Sequence, residues 1–251
     1  MINFYRKIRR KLADNDQLLK YTRYAIGEII LVVIGILIAL YINNLNTDKQ
    51  EFITLKGYLN NISENIEADQ IKLERIVVFR DSSIIGSEYF MNMIERDMFK
   101  EQYSIYFSKY FKYNPWLDES FQSDNSGFEA LKNSGYLSKL QQTSLETELY
   151  KYYNLVEKIR YNEKSLNNFM EEMKYDIYKN NIAQTMKPLV TKIGLKVETN
   201  EDIIRLQRAL NYPSVVGSHS RNSGADYLID LYKELLVSAV RTQKEIEKIT
   251  E

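Results

Sequence analysis

Few residues of this chain have the types and spacing that catalysis requires. His219, the one histidine, lies between Ser218 and Ser220, and serine with histidine forms part of a nucleophilic triad. No further signature supports a triad, because the zinc-protease, nucleophile-elbow, phosphate-loop and dinucleotide motifs are all missing. The lack of cysteine excludes a thiolate nucleophile, a disulfide framework and a cysteine metal site. We therefore predict no catalytic, cofactor-binding or metal-binding residues and interpret His219 as an ordinary loop histidine.

Neighbouring acidic residues could in principle share a proton. Pairs such as Asp118 and Glu119 are adjacent in sequence, and adjacent residues of a helix point about 100° apart. We therefore expect these pairs to be solvated surface groups rather than an acid–base pair.

Glu28 is the single charge in an apolar stretch, YAIGEIILVVIGILIALYI, at residues 24–42. A helix of that length spans roughly the 30 Å hydrocarbon layer of a bilayer. A carboxylate there costs free energy and usually marks a partner or a pathway. Three interpretations remain open: Glu28 snorkels to the near interface, contacts another transmembrane helix, or relays protons.

Small residues recur at four-residue steps on the face of the stretch that adjoins Glu28. Glycine and alanine at this spacing let two transmembrane backbones approach closely. We predict a helix-packing surface made of Gly27, Glu28, Leu31, Gly35 and Ala39.

The flanks of the stretch predict how it lies in the membrane. Residues 1–23 carry seven lysines and arginines against two aspartates, and basic residues are retained on the cytoplasmic side. The apolar run is longer than a signal-peptide core and no A-x-A-like site follows it, which favours an uncleaved anchor. We predict a basic cytoplasmic segment (1–23), a transmembrane helix (24–42) and a large domain outside the cytoplasm (43–251). We interpret the basic segment as the determinant of membrane orientation, which also lies in the membrane interface. The alternative is that it binds a cytoplasmic partner or anionic lipid.

Two heptad stripes predict long helices after the anchor. Positions 52, 55, 59, 62, 66, 69, 73 and 76 are apolar except for Asp69, and no Pro or Gly interrupts residues 36–56. Ten positions from 145 to 177 show the same alternation, with Glu163 as the exception. We predict that helices 45–80 and 143–180 pair antiparallel and that a C-terminal helix, 225–249, completes the bundle. The alternative is that the first stripe forms a parallel homodimer.

Aromatic residues fall on one face of a predicted helix that Pro115 ends. They pack in the core, or they form a contact surface on which a sugar or peptide stacks. These residues are Tyr103, Tyr106, Phe107, Tyr110 and Phe111.

Shorter elements follow from capping and turn residues. Ser126 and Thr143 each precede a glutamate by three positions, which predicts capping boxes for helices 127–134 and 143–180, with Gly135 past the end of the first. A helix is predicted over 82–99 and another from Asn200 to Leu210. Ile193, Leu195 and Val197 alternate as in a strand or an extended loop, and residues 211–224 are predicted to be a long loop.

The N-terminal motifs resemble a known family. FYRKIRRKL followed by YAIGEIILVVIGILIALYINNLN is similar to the start of an uncharacterised family of single-pass membrane proteins common in Bacteroidota-type bacteria. Tyr41 and Leu45 stand where that family usually has Gln and Trp. FEALKNSGYLSKL (128–140) and LYKYYN (149–154) are similar to its soluble signature. The resemblance covers most of residues 1–160 and implies an inner-membrane protein with a periplasmic domain. It implies no activity.

Together these patterns predict an all-α protein with one transmembrane helix and a periplasmic antiparallel helical bundle. Of 34 basic and 34 acidic residues, 27 and 31 follow residue 42, and this mildly acidic balance argues against nucleic-acid binding. We expect the bilayer, and a protein partner or second copy bound through the transmembrane helix, as partners. The predicted function is an anchored periplasmic scaffold or accessory subunit of an envelope complex. A ligand-sensing bundle that signals along a continuous helix is the alternative, and an enzyme comes third.

Overall fold

A computed structural model describes residues 16–95, 100–191 and 194–251. Most of the predicted basic segment (residues 1–15), the end of the predicted helix 82–99 and Ile193 lie outside these ranges. The chain divides into two compact units, Met1–Leu55 and Lys56–Glu251.

Helices make up nearly all of the described chain, which confirms the predicted all-α class. The short elements are a π-helical turn (Tyr106–Tyr110), 3-10 turns (Phe111–Tyr113 and Tyr136–Leu140) and a two-residue antiparallel pairing of β1 (Val190–Thr191) with β2 (Gly194–Leu195). The α-helices are α1 (Asp16–Glu95), α2 (Lys100–Ile105), α3 (Ser126–Asn133), α4 (Ser144–Lys179), α5 (Ile182–Met186), α6 (Asn200–Leu210), α7 (Pro213–Ser223) and α8 (Asp226–Thr250).

In the first unit, α1 carries the apolar stretch as a fully exposed helix. Its large apolar side chains are 47–81% exposed, from Val33 at the low end to Tyr24 at the high end. Among the described residues this is the one helix that is long and apolar enough to cross a membrane. The helix continues without a break through residues 36–56, as the lack of Gly and Pro there predicts.

In the second unit, α4 and α8 pack antiparallel. Ser144, at the start of α4, donates a hydrogen bond to Glu245, near the end of α8. Further along, Tyr232 of α8 donates to Glu163 at 2.6 Å. Residue numbers therefore rise along one helix as they fall along the other.

Helix α1 is also antiparallel to the C-terminal helices, which corrects one predicted pairing. Lys56 donates to the Thr250 carbonyl, and Asn222 of α7 donates to the Ser83 carbonyl at 3.0 Å. Because α1 and α4 both oppose the C-terminal helices, they run in the same direction. The prediction that these two long helices pair antiparallel with each other is wrong.

The connection between α1 and α4 explains this direction. Residues 103–140, called the return segment below, run back along α1 before α4 begins. Along this path the contacts with α1 move steadily to lower residue numbers. They are Tyr106 with Phe90, Glu119 with Arg80, Gly127 with Asn65 and Tyr136 with Tyr58. Because the return segment leads back along α1 to its lower-numbered residues, α4 then runs in the same direction as α1.

Both heptad stripes form the core of this unit, as predicted, except that Phe52 at the start of the first stripe is 50% exposed. From Leu59 to Ile76 every position of the first stripe is buried, and of the second stripe only Met173 is partly exposed. Because the first stripe is covered by helices of its own chain, it cannot also serve as the seam of a homodimer. The homodimer alternative for this stripe is therefore wrong.

Residues 211–224, predicted as a loop, contain helix α7 instead. Pro213 stands in its first turn, where a missing amide hydrogen costs nothing. Three of its polar residues, Ser214, Ser218 and Asn222, are buried, and Asn222 donates to Ser83 and Ser87 of α1. Tertiary packing here overrides weak helix propensity.

The predicted helix caps are partly confirmed. Thr143 accepts a hydrogen bond from the Glu146 amide at 3.2 Å, and Gly135 adopts φ of 79° past the end of α3. Ser126 is not a cap, because α3 begins after Asn125 with no side-chain capping bond. Helix α6 is capped by Thr199 rather than Asn200, one residue earlier than predicted.

Candidate functional site

Three groups of buried polar side chains hold the return segment against the bundle. Each is centred on one titratable residue, and we name them the Asp69, Glu163 and His219 clusters. Asp69 and Glu163 are the two residues that interrupt the otherwise apolar stripes, so the sequence contained a signal for both. A charge is retained at a buried position only when partners compensate it.

The Asp69 cluster joins α1, α4 and the return segment. The carboxylate is fully buried and accepts hydrogen bonds from the Tyr152 hydroxyl and the Asp124 amide, each at 3.1 Å. Ser123 donates to it as well, and Lys72 forms an ion pair at 3.1 Å. Burial and the Asp69 charge together raise the pKa of Tyr152. The cluster holds a turn of the return segment in place.

The Glu163 cluster repeats this arrangement with other residues. The Phe121 amide lies 3.0 Å from both carboxylate oxygens of Glu163, and Tyr232 donates from α8. Arg80 of α1 is buried nearby and donates to the Glu119 carbonyl at 2.9 Å. Burial raises the pKa of Glu163, and the hydrogen bonds from Tyr232 and Phe121 oppose that rise.

The His219 cluster lies in the aromatic part of the core. The Nδ1 atom is 3.1 Å from the Ser87 hydroxyl and the Nε2 atom is 2.9 Å from the Tyr106 hydroxyl. The ring stacks on Phe90 with centroids 3.9 Å apart, and only 1% of the residue is exposed. Burial lowers the pKa of His219 to about 3, so the imidazole is neutral at ordinary pH. Ser218 donates instead to the Ser214 carbonyl.

The position of His219 differs from the loop position that the sequence predicted. It is not a loop residue, because it lies inside α7. Its neighbours in sequence are not its hydrogen-bond partners, since Ser87 and Tyr106 take both ring nitrogens. Sequence reasoning missed this role because both partners are more than a hundred residues away along the chain.

The aromatic stripe is divided between core and surface. Tyr103, Tyr106 and Phe107 are buried, as core packing predicts, and a ligand has no access to their rings. Tyr110 and Phe111 are half-buried. The five residues therefore do not form one exposed stacking surface.

The predicted transmembrane packing residues all lie on the exposed surface of α1. A Cβ atom added at Gly27 or Gly35 would meet no other atom within 4 Å, so the helix itself leaves room for a close neighbour. Glu28, Leu31 and Ala39 are exposed alongside them. That a second transmembrane helix packs on this face stays a prediction.

A polar cleft of about 830 Å³ lies between α4 and the return segment. The Phe128 ring stacks on Tyr153 at 4.1 Å, and the buried Tyr153 hydroxyl has no hydrogen-bond partner. Amide and charged side chains make up much of the remaining lining, among them Asn125, Asn154, Glu157, Arg160 and Lys164. Its mixture of aromatic rings, amides and charges suits a polar ligand. The described residues contain no group of three or more acids or histidines that could hold a metal ion.

No protein-family model, no curated protein and no solved structure matches the chain.

Proposed function

We propose that the protein is a membrane-anchored interaction protein, a scaffold or accessory subunit of an envelope complex, without catalytic activity of its own. The observation that carries the proposal is the exposed apolar stretch of α1, which continues as one helix into a helical bundle. The protein's own groups satisfy the titratable residues at the centre of each buried cluster. These residues therefore support a fixed framework rather than a reacting centre.

The proposed location is a bacterial inner membrane, with the N-terminus in the cytoplasm and residues 43–251 in the periplasm. The excess of lysine and arginine before residue 24 supports this orientation. The resemblance of the N-terminal motif to single-pass membrane proteins supports it as well. A reporter fused after Glu251 should be active only outside the cytoplasm. Activity of that reporter inside the cytoplasm would contradict the orientation.

Crosslinking in native membranes, with mass spectrometry of the captured proteins, tests the interaction role. An intramembrane polar contact is worth about 0.6–2 kcal/mol, so Glu28→Gln should weaken the captured complex about three- to thirtyfold. Gly35→Leu should abolish it by filling the space between the helices. Val33→Leu, on the opposite face of the helix, is the matched control and should leave capture unchanged. If all three variants capture as much as the parent chain, the transmembrane helix serves only as an anchor.

A second candidate function, a ligand-sensing bundle, is favoured by the polar cleft. The aromatic rings of Phe128 and Tyr150 and the amide of Asn154 line it, and a bound ligand could contact them. Neutral oligosaccharides are suitable probes because amides and aromatic rings recognise hydroxyl groups and sugar faces. We expect a probe that binds to raise the melting temperature of the full chain. That rise should be lost in Asn154→Ala and kept in Asn162→Ala, which lies in the same helix but does not line the cleft. No rise with any probe would count against it.

A further inference from the structure

The outer face of α1 carries a second heptad pattern that the fold does not use. Seven positions from 67 to 88 alternate by four and three residues, and all seven are exposed. They read Glu67, Ile71, Glu74, Val78, Asp81, Ile85 and Glu88. We call this line of alternating carboxylates and apolar side chains the acidic seam. It spans about 31 Å at the rise of an α-helix.

The acidic seam does nothing for the chain's own core. The buried stripe of α1 lies on a different face of the helix, which already packs against the other helices. Ile71 and Val78 are 68% and 64% exposed, and Ile85 is 44% exposed. None of the four carboxylates forms an ion pair with another described residue. Apolar residues repeated in register on an exposed helix face are typical of a helix-docking surface.

Self-association does not fit this pattern. In a parallel pair of identical helices each carboxylate would face its own copy, which is destabilising. In an antiparallel pair the carboxylates would lie against Ile71, Val78 or Ile85 and lose hydration without a partner. The occupant is therefore not a second copy of the acidic seam but a helix that carries the opposite charge.

We propose that the acidic seam docks a helix of another protein in which apolar and basic residues alternate in the same heptad register. The inference rests on the proposed interaction function and names the chemistry of the partner. Apolar side chains of the partner pack on Ile71, Val78 and Ile85, and its lysines or arginines pair with the intervening carboxylates. Arg75 beside the seam leaves an excess of three negative charges, four carboxylates less one guanidinium, to attract such a helix.

Two labelled helical peptides test this inference against the full chain in phosphatidylcholine nanodiscs, whose lipids carry no net charge. Both peptides contain three heptads with leucine at one core position, and they differ by lysine or glutamate at the other. Fluorescence anisotropy should show at least tenfold tighter binding of the lysine peptide. A rise from about 0.15 M to 1 M salt should weaken that binding, because shorter screening lengths reduce the attraction.

Charge reversal separates the acidic seam from general electrostatic attraction. Glu74→Lys with Asp81→Lys should invert the preference, so that the glutamate peptide now binds more tightly. Glu172→Lys with Asp230→Lys makes the same change of charge at exposed positions of α4 and α8 and should keep the original preference. Because the inversion is a gain of binding, a misfolded variant cannot produce it.

Apolar replacement tests the other half of the seam. Ile71→Asn with Val78→Asn should abolish binding of the lysine peptide, whereas Val237→Asn with Val240→Asn, at exposed positions of α8, should retain it. Equal affinity for the two peptides, or equal effects of seam and control variants, would overturn the inference.

The native-membrane crosslinking experiment distinguishes this inference from the proposed function. If Ile71→Asn with Val78→Asn captures the same partner as the parent chain does, the interaction function stands and the acidic seam is not the docking site. If nothing is captured while the peptides bind with the expected selectivity, the seam stands and the proposed function fails.

Discussion

Tyr152 and Tyr153 are adjacent buried tyrosines of α4 that should respond oppositely to loss of the hydroxyl group. Tyr152 donates to Asp69 at 3.1 Å, and a hydrogen bond to a charged group contributes about 1.5–3 kcal/mol. Asp69 keeps its other donors in Tyr152→Phe, so we expect a loss near the lower limit, about 1.5 kcal/mol. For a domain of this size that loss lowers the melting temperature by about 3–6 °C.

The Tyr153 hydroxyl is buried without a partner, so its desolvation is not compensated. Tyr153→Phe keeps the ring that stacks on Phe128 and should be neutral or stabilising by up to about 1 kcal/mol. Thermal unfolding of the full chain in mild detergent, followed by far-ultraviolet circular dichroism, measures both variants. If Tyr153→Phe is destabilised as much as Tyr152→Phe, the hydroxyl has a partner and this account of the cleft is wrong.

Three further predictions use the same melting assay. Thr143→Ala should lower the free energy of unfolding by about 1 kcal/mol, because it removes the cap of α4. Ser126→Ala removes no capping bond and should change that free energy little, so equal losses in the two variants would contradict the observed caps. Gly127→Ala should lower the free energy of unfolding by about 1–3 kcal/mol, because its Cβ would lie 2.7 Å from a side-chain oxygen of α1 and 3.1 Å from a backbone nitrogen. Gly224→Ala is the control and should be nearly neutral, because a Cβ there would meet no other atom within 4 Å. His219 has a folded-state pKa of about 3 against about 6.5 when unfolded, so its stabilising contribution is complete above pH 6.5 and declines as the pH falls. Acidification to about pH 5 should therefore lower the free energy of unfolding by about 2 kcal/mol, and His219→Gln should remove this loss. If the variant loses as much stability on acidification as the parent chain, this explanation is wrong.

Much of the helical architecture could be predicted because it depends on local periodicity. The stripes around Ile62 and Ile159 identified the buried faces of α1 and α4, since a helix presents every third or fourth residue on one side. The apolar stretch at residues 24–42 was equally clear, because its length alone matches the hydrocarbon layer. Asp69 and Glu163 were visible as exceptions in these stripes, although their partners were not.

What the sequence by itself determined about this protein is therefore which residues form helices and which face each long helix buries. Only the tertiary structure decided that α1 and α4 run in the same direction, because the return segment carries no periodic pattern that reveals its path. It also decided that His219 lies in the core, since its partners come from α1 and the π-helical turn. Helix α7 forms where composition indicated a loop, because its buried polar side chains find hydrogen-bond partners only after α1 is in place. Local patterns report what a segment can form, whereas contacts between distant segments determine which of its polar groups can be buried.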